Sequence, residues 1–112
     1  MALLPDTTPR FIASSPGPKA QEIRIRNFRS DRLELAEELI VILEEREGEY
    51  IANSYDTGQY GHGYSPDEAI EHLCSVLEDY YDLLGEDEGH LSPPLSAHLR
   101  YFRSILHIAG TS

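Results

Sequence analysis

The segment SPDEAIEHLCSVLEDYYDLLG, Ser65–Gly85, carries its own start, period and stop. Ser65 can cap a helix, because its hydroxyl accepts a bond from an otherwise unpaired first-turn amide. Pro66 follows at the first helical position, where its missing N–H costs nothing. Glu68, three residues after the cap, can reach back to the cap's own N–H and complete a capping box. Asp67 and Glu68 also place negative charge on the positive end of the helix dipole. Ile70, Leu73, Cys74, Leu77, Tyr81 and Leu84 recur at steps of three and four, which makes one apolar stripe. Gly85 is the expected stop, at a position where a left-handed residue is often wanted. Such a helix needs an apolar surface to lie on.

The residues before it supply one. Leu39–Leu43 is an unbroken apolar run rich in β-branched side chains, and it predicts a strand over about 37–45. Arg46–Glu47–Gly48 suits a hairpin turn, and Glu49–Tyr55 is the returning strand. Asp56–Thr57–Gly58 is a second turn. Gln59–Tyr64 is a third short strand, or a loop with strand character. Its glycines suggest a bulge or a close approach to other backbone. Strand, strand, strand, helix with hairpin-length turns gives an α+β fold. The expected core is a three-stranded antiparallel sheet, open to an extra N-terminal strand and packed by one long helix, plus a C-terminal helix.

Residues 1–20, punctuated by Pro5, Pro9, Pro16 and Pro18, read as a disordered leader. In the arm that follows, residues 21–32, Ile23 and Ile25 alternate with Arg24 and Arg26 ahead of Phe28, the period of a strand with one wet face. Three readings stand for the arm: a solvated edge, a subunit-swapped strand, or a contact for an anionic partner. The second is preferred, because Ile23 and Ile25 need burial. Residues 29–38 fit neither period. Residues 86–112 read as an acidic loop and a second helix, started by Ser92–Pro93–Pro94, striped by Leu95, Leu99, Phe102, Ile105 or Leu106 and Ile108, and ended by Gly110.

At 112 residues the chain is one domain's worth. No apolar run approaches the roughly 20 residues of a membrane span, and the N-terminus lacks the layout of a secretory signal. One cysteine forms no disulfide within the chain, so the expected compartment is the reducing cytoplasm. The net charge of −11 is unevenly spread. Residues 33–99 carry 17 acidic groups and one basic one, Arg46. That body repels nucleic acid, whose capture needs Lys and Arg, and attracts a basic partner. The plainer account, a solvated face that keeps the protein soluble, competes with this one.

No chemistry-bearing constellation emerges. Glu44, Glu45, Glu47 and Glu49 gather at a hairpin tip, where they spread rather than converge as metal-assisted phosphoryl transfer requires. The five histidines lack short metal-ligand spacing, and Cys74 has no CxxC partner. Cys74 on the stripe is most simply a small buried hydrophobe. No catalytic residue, metal or cofactor is expected. Tyr50, Tyr55, Tyr60 and Tyr64 suit strand packing. Tyr is also favoured at interface hot spots, so Tyr55, Tyr60 and His62 are the expected partner contacts.

Residues 38–84 resemble the HicB antitoxin family. The residues that carry the likeness are ELIVILEEREGEYIA, with an acidic turn around Gly48 followed by Tyr50 and Ala52, and GYSPDEAIEHL, with Gly63, Ser65, Glu68, Ala69 and Leu73. The resemblance implies a partial ribonuclease-H-like fold without catalytic activity. It also implies a role in binding and neutralising a small basic RNA-cleaving toxin, as a homo-oligomer. The sequence departs from the family at Tyr55–Asp56–Thr57–Gly58, where members usually have a Pro and a Gly. The 27 residues after Gly85 hold one helix and no DNA-binding helix pair, so DNA binding is doubtful for this chain. The alternative expectation is a stand-alone structural or regulatory homo-oligomer of the same fold with no toxin.

Overall fold

A computed structural model of the chain describes residues 20–109. The apolar run becomes strand β3, Leu39–Arg46, whose side chains alternate between buried and half-buried along Leu39–Leu43. It turns directly into β4, Glu49–Ser54, through Glu47 and Gly48 at φ of 52° and 84°. Both central residues therefore take the positive φ that matches a two-residue turn to the strand twist. Strand β1, Ala20–Ile25, pairs antiparallel with the other side of β3, and β5, Tyr60–Gly63, pairs antiparallel with β4. The sheet order is β1-β3-β4-β5. Helix α1, Pro66–Glu86, lies on one face. A one-turn 3-10 helix at Glu88–His90 leads to helix α2, Pro93–Ile105. A second, two-stranded sheet pairs β2, Leu33–Leu35, with β6, Leu106–Ile108.

The core sits between the sheet and the helices. Leu39, Val41, Leu43 and Ala52 meet Ile70, Leu73, Leu77 and Leu84 of α1, joined by Phe28, Leu99, Phe102 and Ile105. The glycines of β5 explain how closely α1 approaches. A Cβ on Gly61 would stand 2.7 Å from Leu73 Cα, and one on Gly63 would stand 2.9 Å from the Ala69 amide nitrogen. Strand and helix backbones touch there, the close approach that the glycines suggested.

The α+β class holds: β1 adds the extra N-terminal strand to the three expected in the main sheet, and an unexpected strand pair stands beside it. The leader lies outside the described residues apart from Ala20, which opens β1. Ser65 caps α1 by accepting the Glu68 N–H at 3.1 Å, but the Glu68 carboxylate takes the Tyr64 N–H at 2.8 Å rather than that of Ser65. Gly85 is not the stop. The helix runs through it to Glu86, and Asp87 caps the end by donating to the Leu83 carbonyl at 3.3 Å. A glycine near a helix end costs only about 1 kcal/mol, and the chain beyond it is held by Arg103, which grips Glu88 with both guanidinium nitrogens at 2.7 and 2.8 Å. The second helix also ends before Gly110. Its expected last stripe residue, Ile108, is 65% exposed on β6. Leu33 and Leu35, in the stretch that fits no period, pair with Ile108 and Leu106. That pairing satisfies backbone groups that further helix would have satisfied internally.

Candidate functional site: an open sheet face

Directly opposed residues on neighbouring strands share a face, so the register fixes the composition of the side away from α1. Arg24 stands opposite Ile40, and Glu22 opposite Ile42. Across β3 and β4, Ile42 faces Asn53 and Glu44 faces Ile51. Across β4 and β5, Ile51 faces His62 and Asn53 faces Tyr60. Tyr55 donates its N–H to the Ile40 carbonyl at 3.0 Å, extending the register one step and placing Tyr55 opposite Ile40. Among the described residues, Ile40, Ile42 and Ile51 belong neither to the core nor to the half-buried side chains packed on it. Tyr55 and Tyr60 are 67% and 59% exposed, and Tyr64, just past β5, is 80% exposed. The result is a patch of half-buried isoleucines beside exposed tyrosines. The three expected contact residues, Tyr55, Tyr60 and His62, all lie on it.

The charges around this patch are matched. Arg24 reaches Glu22 at 3.1 Å and Glu38 at 3.6 Å, and Arg26 reaches Glu38 at 2.7 Å. Arg46 pairs with Glu44 at 3.2 Å, and His62 Nδ1 lies 3.1 Å from Glu49. The hydrogen bond from Arg26 holds the Glu38 carboxyl below its ordinary range. Four carboxylates and three arginines leave the face with one unit of the chain's net −11 when His62 is neutral.

The helix side is different. Arg29 and Arg32 cross from the arm to α1. The Asn27 side chain accepts the Arg29 N–H at 2.9 Å, and Arg29 takes a left-handed φ of 61° and meets Asp67 at 2.7 Å. Arg32 holds Glu78 and Asp82 at 2.7 and 2.8 Å, and these bonds raise its pKa further. Among the described residues, Glu71, Asp79, Glu86 and Asp87 on and after α1, with Glu45 and Glu47 at the hairpin, form no ion pair, so the acid excess collects there.

The arm residues divide by alternation. Ile25 and Phe28 are buried in their own chain's core and Ile23 is half-buried against it, while Arg24 and Arg26 belong to the open side. The need for burial that favoured a swapped strand is thus met within the chain. Cys74 is buried, and burial pushes its thiol up to about 11. His72 Nδ1 accepts the His62 N–H at 3.0 Å, tying α1 to β5. Between α1 and α2, Tyr80 Oη lies 2.6 Å from His98 Nδ1. Burial, then a hydrogen bond to Asp56, raises the Tyr101 phenol well above its ordinary value. Among the described residues no group of three His, Cys, Asp or Glu is placed to hold a metal ion, and no helix is long and apolar enough to cross a membrane. Two open depressions stand out, one walled by Arg26 and Leu35–Glu38, the other by the paired Arg32, Asp82 and Arg103 with Tyr81, Gly85 and Glu86.

Sequence reasoning found the tyrosines and His62 but not Ile40, Ile42 and Ile51 as their neighbours. The signal was present: an apolar run without alternation, in a sheet with one long helix on one side, leaves every second residue outside the helix-covered core. Compared with protein-family models, curated proteins and solved structures, the chain matches none.

Proposed function

We propose that this chain is a non-enzymatic, antitoxin-like binding protein of the cytoplasm that captures and neutralises a small basic RNA-cleaving toxin. The observation that supports this most is the uneven charge. Every described arginine except Arg100 is engaged with a carboxylate of its own chain. Most of the carboxylates left over lie along α1 and at the hairpin; Asp31, Glu37 and Asp56 lie elsewhere. A cationic protein is steered to such a surface. The likeness of residues 38–84 to the HicB family supplies the toxin as the cationic partner.

The test is co-expression of the tagged chain with its neighbouring reading frame, followed by light scattering on the purified product. A stable complex with a small basic protein, whose RNA cleavage stops on capture, is expected. Glu71→Lys with Asp79→Lys should slow association, and added salt should slow it in the parent. Absence of a partner, or capture indifferent to salt, rejects the reading and leaves the stand-alone homo-oligomer.

A further inference from the structure

We infer that the open sheet face is a self-association surface, on which two copies of this chain stack through Ile40, Ile42, Ile51, Tyr55 and Tyr60. The choice of occupant follows from charge. Two bodies of net −11 repel each other wherever their unpaired carboxylates meet. The tyrosine face is where that repulsion is least, because three of its four carboxylates, Glu22, Glu38 and Glu44, are paired with Arg24, Arg26 and Arg46. A cationic partner gains little there for the same reason, since three of the four carboxylates already hold an arginine. An identical copy brings what the patch lacks, an apolar and aromatic cover of equal neutrality, and a two-fold axis makes the contact self-complementary.

Size points to a weak, concentration-dependent contact. Strands of six, eight, six and four residues, about 4.8 Å apart, give a footprint of about 400 Å² before the relief of the tyrosines, against roughly 800 Å² per partner in a standard interface. Sheets stack face to face about 10 Å apart with their side chains interdigitated. Tyr55 and Tyr60 are the side-chain type that anchors such contacts. This surface is separate from the acidic side, so the inference does not rest on the toxin reading.

The experiment is sedimentation equilibrium of the full chain over a range of concentration and salt, with circular dichroism to confirm folding. A dimer is expected. It should tighten as salt rises, because screening removes the repulsion between the two acidic bodies. Capture of a basic partner responds to salt in the opposite sense, which separates the two surfaces. Tyr60→Ser, at an exposed edge position, should raise the dissociation constant about 30-fold or more. Glu71→Lys on the helix side should leave the dimer no weaker. A monomer at every concentration, a dimer that loosens with salt, or a dimer untouched by Tyr60→Ser overturns the inference. So does a monomer whose Tyr60→Ser variant loses a basic partner, since the face then belongs to that partner.

Discussion

One strand, β3, presents two surfaces that share a backbone and little else. Leu39, Val41 and Leu43 lie under α1 and are at most 5% exposed. Ile40, Ile42 and Glu44 alternate with them and stay half-buried on the bare side. Apart from Glu44 the two sets are equally apolar, so hydrophobicity does not separate Ile40 and Ile42 from Leu39 and Val41. The difference comes from the single capped helix, which covers one side of a strand apolar on both. The covered side supplies stability, and the other side is the one proposed to bind.

Neighbouring substitutions on β3 are the strongest way to break that contrast. Leu39→Ala should cost about 2–5 kcal/mol, the range for opening a cavity in a packed core. Ile42→Ala, at concentrations low enough to keep the chain monomeric, should cost less than about 1.5 kcal/mol, because little packed volume is lost. Urea unfolding of both variants decides it. Equal losses would mean that the bare side is packed after all.

Gly61→Ala probes the covered side from the sheet. The added methyl would meet the backbone of Leu73, and neither backbone yields as a side-chain tip does. Overpacking of this kind costs about 1–3 kcal/mol. A neutral result by thermal unfolding would show that α1 can lift from β5. Ser65→Ala tests the start of the covering helix and should cost about 1 kcal/mol. Cys74 offers a readout without mutation: its buried thiol, raised to about 11, should react with a thiol reagent only as fast as the chain opens.

How much of this was legible in the sequence depended on whether the signal was local. The Ser65–Pro66 cap and the Glu47–Gly48 turn could be read because each uses residues within a few positions of one another. So could the helix stripe, since Leu73, Leu77 and Leu84 repeat on one face. Gly85 misled because a glycine marks a stop only if nothing beyond it continues the chain's hydrogen bonding. Here Arg103, 18 residues on, fixes Glu88 and the turn before it. The β2–β6 pair was invisible for a similar reason, since Leu33 and Leu35 make sense only beside Leu106 and Ile108. Tyr55, Tyr60 and His62 were chosen by residue type. Their common face became visible with the register, which a single sequence does not print.

The smallest expected effect concerns the ion pairs on the bare side. The Arg26 hydrogen bond is the largest cause of the lowered Glu38 pKa, with partial burial opposing it and Arg24 adding to it. A carboxyl whose pKa is lower folded than unfolded stabilises the fold above its unfolded value. That contribution is fully present at neutral pH and is lost as pH falls through the lowered value. Titration of Glu38 by NMR should therefore show a midpoint below the ordinary carboxylate range, returning toward it in Arg26→Gln. The melting temperatures of parent and Arg26→Gln should converge as acid removes the charge. The difference at neutral pH should be slight, because the Arg26 side chain is 84% exposed and solvent screens the pair. A large difference would mean that this edge is far less accessible in solution than its geometry indicates. In a stacked dimer that is the expected result at high concentration, and dilution to the monomer should abolish it.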